Sequence, residues 1–256
     1  MGDDARLSRL RARLAIDGPA ASGKSALGSA VAAQLGFPFI DTGGIYRALT
    51  WLALSQGISP TDAAALTDLA AHAAISIRQG ATEPSASKAA SVTIDGLDAT
   101  PHLRSAAVEQ AVSTVSAIAG VRSHLIAIQR ALAQERAVMA GRDIGSVVLP
   151  DAELKVFLDA SPEERARRRQ QEHRASGEPA DYQEQVEQMR RRDFLDSTRA
   201  VAPLRPAPDA LRLFTDEMPL RDVVEKVLDL ARERWPELAL PSTKDNRSRS
   251  PDRARC

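Results

Sequence analysis

One stretch limits the possible folds more than any other. From Gly18 to Ser25 the chain reads Gly-Pro-Ala-Ala-Ser-Gly-Lys-Ser, the pattern G-x-x-x-x-G-K-S. Leu14-Ala15-Ile16 before it suits a buried strand, and Leu27, Ala30, Val31 and Leu35 behind it recur at helical spacing. A strand, a glycine-rich turn and a helix in that order can gather backbone N–H groups around one anion. Gly18 and Gly23 allow angles that a Cβ would forbid, so those groups can turn inward. The helix adds the positive end of its dipole. Lys24 supplies a point charge for the β- and γ-phosphates, and the small, hard Ser25 hydroxyl suits Mg²⁺. Gly18, Pro19, Ala20, Ala21, Ser22, Gly23, Lys24, Ser25 and Ala26 are therefore expected to cradle a nucleoside triphosphate.

The rest of the chain supplies a matching scaffold. Gly36 closes the first helix, and Phe37 to Ile40 read as a second short strand running into Asp41-Thr42-Gly43-Gly44-Ile45-Tyr46-Arg47. Helices are expected from about Ile45 to Gln56 and over 61–73, the latter opened by Ser59-Pro60-Thr61-Asp62. Between 74 and 100 the period changes. Ile75-Ser76-Ile77 and Val92-Thr93-Ile94 alternate as half-buried antiparallel strands do, with a polar loop from Gln79 to Ser91 between them. This segment reads as a small insert on a nucleotide-binding core. Helical patterning resumes from Pro101 to about Glu135, and strands follow at 137–140, 155–158 and 211–214. Short apolar strands alternating with helices predict an α/β fold, a parallel sheet covered on both faces. Ligands in such folds sit beyond the carboxyl ends of the strands, so the loops beginning at Gly18, Asp41 and Gly141 should converge.

Composition removes several other functions. The 34 basic and 34 acidic residues cancel, and aromatics make up 4% of the chain, which argues against a nucleic-acid-binding surface. The only cysteine is Cys256, so neither a disulfide nor a thiol metal site is expected within one chain. Residues 1–13 lack the apolar segment of a secretory signal, and no run approaches a membrane span of about 20 apolar residues. A cytoplasmic location is the expectation. Residues 241–256 have almost nothing to bury and read as a disordered tail.

The charged groups admit two readings each. The segment from Pro162 to Arg199 holds nine arginines and nine acids. It is either a pair of solvated helices laced by pairs such as Glu163–Arg167 and Glu164–Arg168, or a mobile lid folding arginines over a triphosphate. Ser176-Gly177-Glu178-Pro179 would form the tip of such a lid. Arg192, Asp196 and Arg199 share a helix face and form either a surface ladder or a site for sugar and phosphate. Arg47 and Arg142 each follow a strand end and a glycine, where an arginine fork suits phosphate. A lysine for one phosphate group and two arginines for another suggest two phosphorylated ligands. Asp41 and Asp143 either hold metal-bound water, contact a base, or simply cap the next helix.

These segments, taken together, resemble one family. Gly18–Ser25, Asp41–Arg47, Gly141-Arg142-Asp143-Ile144-Gly145, Phe157–Arg165 and Arg199-Ala200-Val201-Ala202-Pro203-Leu204 occur in the order seen in bacterial cytidylate kinases, over roughly residues 12–235. The resemblance implies a P-loop three-layer sandwich with a five-stranded parallel sheet, transfer of the γ-phosphate of ATP to CMP or dCMP with Mg²⁺, and a monomer. It implies a core over 12–60, 101–160 and 200–235, an acceptor-binding insert over 61–100, a lid with its adjoining helix over 161–199, and flexible termini at 1–11 and 236–256. Lys24, Arg47 and Arg142 would then be catalytic. Thr42, Arg47 and Arg142 would meet the acceptor, Ser113, Arg122 and Asp143 would read the cytosine, and Arg192, Asp196 and Arg199 would bind sugar and phosphates. Arg165, Arg168 and Arg169 match only as part of the lid segment. Two departures stand out: Gly44 where the family usually has alanine, and Ala140 where an acidic residue commonly precedes Gly-Arg-Asp.

The nearest rival is a kinase for UMP, AMP or a non-nucleotide acceptor. A nucleotide-driven switch is a rival of another class, since Asp41-Thr42-Gly43-Gly44 fits its D-x-x-G pattern. The guanine-reading N-K-x-D is missing, because Asn246 is the only asparagine.

Overall fold

A computed structural model describes residues 11–78, 91–175, 177 and 181–238. The chain runs through β1 (Ala12–Asp17), α1 (Lys24–Leu35), β2 (Phe39–Asp41), α2 (Thr42–Ser55) and α3 (Ala63–His72). There follow β3 (Ile75–Arg78), β4 (Ser91–Ile94), β5 (Leu97–Asp98), α4 (Ala106–Ala117), α5 (Ala119–Leu132) and β6 (Arg136–Gly141). After β6 come a π-helical turn at Ile144–Val148, β7 (Leu154–Asp159), α6 (Pro162–Ala175), α7 (Tyr182–Thr198), β8 (Leu211–Phe214) and α8 (Leu220–Arg234).

Five of these strands form a parallel sheet in the order β2-β6-β1-β7-β8. Every residue of β1 is buried, as a central strand covered on both faces requires. Leu14 and Ile16 pack with Leu27, Val31, Val227 and Leu228 beneath α1 and α8, while Ala15 packs with Ile40, Met139, Ile144 and Val148. Arg13 and Asp17 are the two charged residues of β1; Arg13 is buried, and Asp151 and Glu153 neutralise it at the rim. The loops after β1, β2 and β6 all leave the same edge of the sheet, as expected from the strand pattern.

Element boundaries differ where side chains cap them. α2 begins at Thr42, earlier than its apolar spacing predicts, because the Asp41 carboxylate accepts the Gly43 N–H at 3.0 Å. Asp41-Thr42-Gly43-Gly44 is thus a cap and first turn rather than a loop. Asp62 caps α3 in the same way, accepting from the Ala65 N–H at 3.0 Å. The predicted antiparallel strands pair Ile75 with Ile94 and Ile77 with Val92. A third strand, β5, was not expected. It is joined to β4 by Asp95-Gly96, both with positive φ, a two-residue hairpin turn that the Asp-Gly pair itself signals.

Residues of α3 and β4 share a core with their neighbours: Leu66, Ala70, Val92 and Ile94 pack with Leu49, Leu52, Val115, Val121 and Leu125. Helices α6 and α7 pack through Ala166, Val186 and Met189 onto Ala20. Of the expected pairs on α6, Glu164–Arg168 forms at 2.8 Å, but Glu163–Arg167 does not. Arg167 is held by Glu164, and Glu163 instead takes Arg190 of α7 at 2.8 Å. Pro236–Leu238 form one 3-10 turn behind Trp235, which is buried against Phe37. The loop over 79–90, most of the lid tip, residues 1–10 and the tail beyond 238 lie outside the described residues.

Candidate active site

The loop after β1 wraps closely over the end of β7. Gly18 has φ +152, and a Cβ there would stand 2.1 Å from the Leu158 carbonyl oxygen, so no other residue fits. Ala21 (φ 56) and Gly23 (φ 93) alternate with ordinary residues, which turns successive N–H groups toward one concavity at the start of α1. Lys24 folds back: its Nζ donates to the Pro19 carbonyl at 2.5 Å and lies 3.3 Å from Ser22 Oγ. Burial first, and then nearby Arg142, push its pKa well below the usual lysine range. The Ser25 hydroxyl donates to Asp41 Oδ2 at 2.6 Å. These two hard oxygens suit Mg²⁺, although no cluster of three or more His, Cys, Asp or Glu able to hold a metal exists among the described residues. An ion there must draw its remaining ligands from phosphate and water.

The arginines of α6 divide by position. Arg168 lines the cleft, with Nη1 3.3 Å from both the Ser22 carbonyl and Thr215 Oγ1 and Nη2 donating to the Thr215 carbonyl at 2.5 Å. Arg169 also lines it, paired with Glu172 at 2.9 Å. Arg165 is buried away from the cleft. It donates to the carbonyls of Ala160 (2.9 Å) and Ala20 (3.1 Å) and forks onto Asp193 of α7, clamping the loop, α6 and α7 together.

On the other side of the cleft, side chains from several elements interlock. Arg142 donates through Nε to Asp196 Oδ2 at 2.8 Å and through Nη1 to the Gly18 carbonyl at 3.2 Å. Asp196 thus faces inward from α7 and is no member of a surface ladder; burial would push it up, but Arg142 and Arg192 hold it below the usual carboxylate range. Arg122, on α5, is 1% exposed and lies 5.4 Å above the Tyr46 ring. Its guanidinium pairs with Asp143 and donates to the Ser116 carbonyl at 3.1 Å. Arg199 approaches the other Asp143 oxygen at 3.7 Å and donates from Nε to the Ala202 carbonyl at 2.6 Å. Ser113 lines the cleft near this group, and Thr42 lines it with its hydroxyl bound to the Ala140 carbonyl at 2.9 Å. Ala140 itself is 1% exposed, packed in the core beneath α1.

Asp17 joins the two halves. This carboxylate, 4% exposed, accepts the Ile144 and Gly145 N–H groups, each at 2.7 Å. It therefore pins the turn that carries Arg142 and Asp143 to the strand that enters the phosphate loop. Burial is the largest influence on it and raises its pKa to about 6, against the two backbone donors. Neither Asp17 nor Glu109, which bridges Arg47 and Arg192, belongs to the residues expected from the sequence. Asp17 adjoins the glycine motif, a usable signal; Glu109 carries none. The stretch Thr215–Leu220 after β8 also lines the cleft and was not anticipated.

The cleft encloses about 1700 Å³, well beyond the several hundred Å³ that one small ligand fills, so two ligands can lie end to end. Of the predicted site residues, Ala20 to Ala26, Thr42, Arg47, Ser113, Arg122, Arg142, Asp143, Arg168, Arg169, Arg192, Asp196 and Arg199 line this one space. Gly18, Pro19 and Arg165 do not, and act through the carbonyls they offer or bind. No single helix among the described residues is long and apolar enough to cross a membrane; α4 and α5 pass together by composition but turn by 96°.

Comparison with known proteins agrees with this geometry. The family model described as "Cytidylate kinase" matches residues 14–233. A bifunctional pantoate ligase/cytidylate kinase of a Synechococcus species is 46% identical over 224 residues, covering 87% of this chain and 41% of that protein. This chain thus spans less than half the length of such bifunctional relatives. A cytidylate kinase of Geobacillus kaustophilus is 45% identical, covering 88% of this chain and 98% of the relative. One from Rhodococcus jostii is 44% identical over 86% and 95%. On the match across residues 14–233 and these identities, the chain belongs to the cytidylate kinase family.

Proposed function

We propose that the protein transfers the γ-phosphate of ATP to CMP and dCMP by direct in-line attack. The observation that carries this reading is the pairing of two cationic phosphate sites in one cleft with a buried reader beyond the second. Lys24 and the loop N–H groups serve the donor, and Arg47, Arg142 and Arg192 serve the acceptor phosphate. Ser113, Arg122 and Asp143 face the far end, where cytosine offers an amino donor beside ring acceptors. A uracil would turn an oxygen toward the Asp143 carboxylate, so it is disfavoured.

The acceptor phosphate oxygen is the nucleophile, and no covalent enzyme intermediate forms. Lys24 leaves the Pro19 carbonyl to follow charge developing on the transferring group. Arg168 and Arg169 close from α6 over the same group, with Arg165 holding the Ala20 carbonyl and thus the loop beneath them. Arg47 and Arg142 align the acceptor, while Asp196 and Arg199 hold its sugar side and Thr42 supports the turn. Ser25 Oγ, with Asp41 near it, would hold Mg²⁺, which would supply charge neutralisation to the phosphates when bound. Residues 61–100 serve the acceptor side by supporting α2 and α4, and 161–199 act as the lid. The substrates are small molecules only, handled by a cytoplasmic monomer.

ADP release with ATP and Mg²⁺ tests this, using CMP, dCMP, UMP, AMP and GMP as separate acceptors. Fast turnover with CMP and dCMP alone is expected. Preference for AMP or GMP would discard the cytosine reading, and no stimulation by any acceptor would remove the kinase reading.

A further inference from the structure

The acceptor half brings like charges close. Arg47 on α2 and Arg192 on α7 meet beside Arg142, and burial followed by these neighbours pushes Arg192 down to about 10. One carboxylate stands between the first two. Glu109, on α4, accepts from Arg47 Nε at 3.1 Å with Oε1 and from Arg192 Nη1 at 3.0 Å with Oε2. Burial would raise its pKa, but Arg47, Arg192 and Arg169 outweigh burial and hold it at about 2. The charge is therefore present throughout the working range.

The division of N–H groups decides what this carboxylate does. Glu109 takes the ε N–H of Arg47 and leaves the two terminal amino groups to the cleft. From Arg192 it takes Nη1 and leaves Nη2, while Nε is buried and without a hydrogen-bond partner. An anion competing with phosphate would occupy the forks. An anchor holds one N–H group of each guanidinium and leaves terminal N–H groups for a ligand, which is the arrangement here. We infer that Glu109 is a positioning residue for the acceptor phosphate, fixing Arg47 and Arg192 from two separate elements at one distance with terminal N–H groups left for the phosphate. The inference rests on the proposal above that these arginines hold that phosphate.

Glu109→Gln keeps the side-chain shape and removes the charge, so the arginines lose their common anchor. The KM for CMP and for dCMP should rise about tenfold, with a smaller fall in kcat and little change in the KM for ATP. An unchanged KM for CMP overturns the inference, and a lowered one overturns it by showing that Glu109 competes with phosphate. In an Arg47→Ala, Arg192→Ala background, Glu109→Gln should add nothing to the KM for CMP; an additive loss also overturns it, because Glu109 would then act by another route. If Arg47→Ala and Arg192→Ala alone leave the KM for CMP unchanged, the phosphate reading itself fails, and this inference falls with it.

Discussion

On the function proposed above, the two halves of the cleft would bind phosphate by different means. On the donor side the cradle is backbone, supplied by one continuous stretch from Ala20 to Ala26, and its single cation rests on a neutral carbonyl. On the acceptor side the groups are side chains from α2, α4, α5, α7 and the turn after β6, and each arginine there is tied to a carboxylate. The first arrangement is fixed by local sequence, because glycines and a helix start suffice to aim N–H groups. The second exists only after the fold has brought distant charges together and matched them. Removing a cation should therefore have opposite consequences in the two halves: lost catalysis with an intact fold on one side, lost stability on the other.

The largest effect is expected at Lys24. With only neutral partners in hydrogen-bond reach, its burial costs the fold, and its removal relieves that cost. Lys24→Ala should lower kcat by roughly 10³-fold while leaving stability in urea equal to the parent or higher. Near-parental kcat would break the comparison at its donor end. Arg122→Met is the counterpart. It strands Asp143, which is 4% exposed and keeps only Arg199 at 3.7 Å, so unfolding stability should fall by about 3 kcal/mol. A loss below about 1 kcal/mol would mean that the acceptor network is not organised by charge matching.

Two carboxylates sharpen the contrast through pH. Asp17 in the junction has a folded pKa of about 6, raised from 3.8, so the folded state binds the proton more tightly than the unfolded chain. The stability this gives is full below the unfolded value and is lost as pH rises through 6, about 3 kcal/mol in all. Glu109 has a folded pKa of about 2, lowered from 4.5; its contribution is full above 4.5 and lost as pH falls through 2. Denaturation from pH 4 to 8 should show the parent losing stability relative to Asp17→Asn as pH rises. A difference that stays flat would show that Asp17 does not carry the titration.

How much of this the sequence revealed follows from the same contrast. The loop from Gly18 to Ser25 and all five parallel strands were readable, since each rests on local periodicity or backbone freedom. Arg47 and Arg142 stood out because they follow a strand end and a glycine. The roles of Ser113 and Arg122 are implied only by the family resemblance, and the spacing of Arg192, Asp196 and Arg199 fits a surface ladder equally well. Glu109 was invisible for a physical reason. Its partners lie 62 and 83 residues away, and nothing local distinguishes it from a solvated helix acid. Asp17 adjoins the motif, but its partners are backbone N–H groups that no side-chain pattern reports.

The smallest effect is expected at Gly44, where both halves share the first turn of α2 between Asp41 and Arg47. The family resemblance puts alanine here, and glycine in a helix leaves more freedom to lose on folding. An added Cβ would stand 3.3 Å from Val92 Cγ2 and 4.0 Å from Leu103 Cδ1, a tight contact followed by an ordinary one. Both neighbours are side-chain methyl groups, so a few tenths of an ångström can be yielded without moving backbone. Gly44→Ala should accordingly stabilise the protein by about 0.5 kcal/mol, a rise in Tm of roughly 1–2 °C. A fall in Tm instead would show that β4 cannot yield, and that the insert holds the start of α2, and with it Arg47, more rigidly than the phosphate loop holds Lys24.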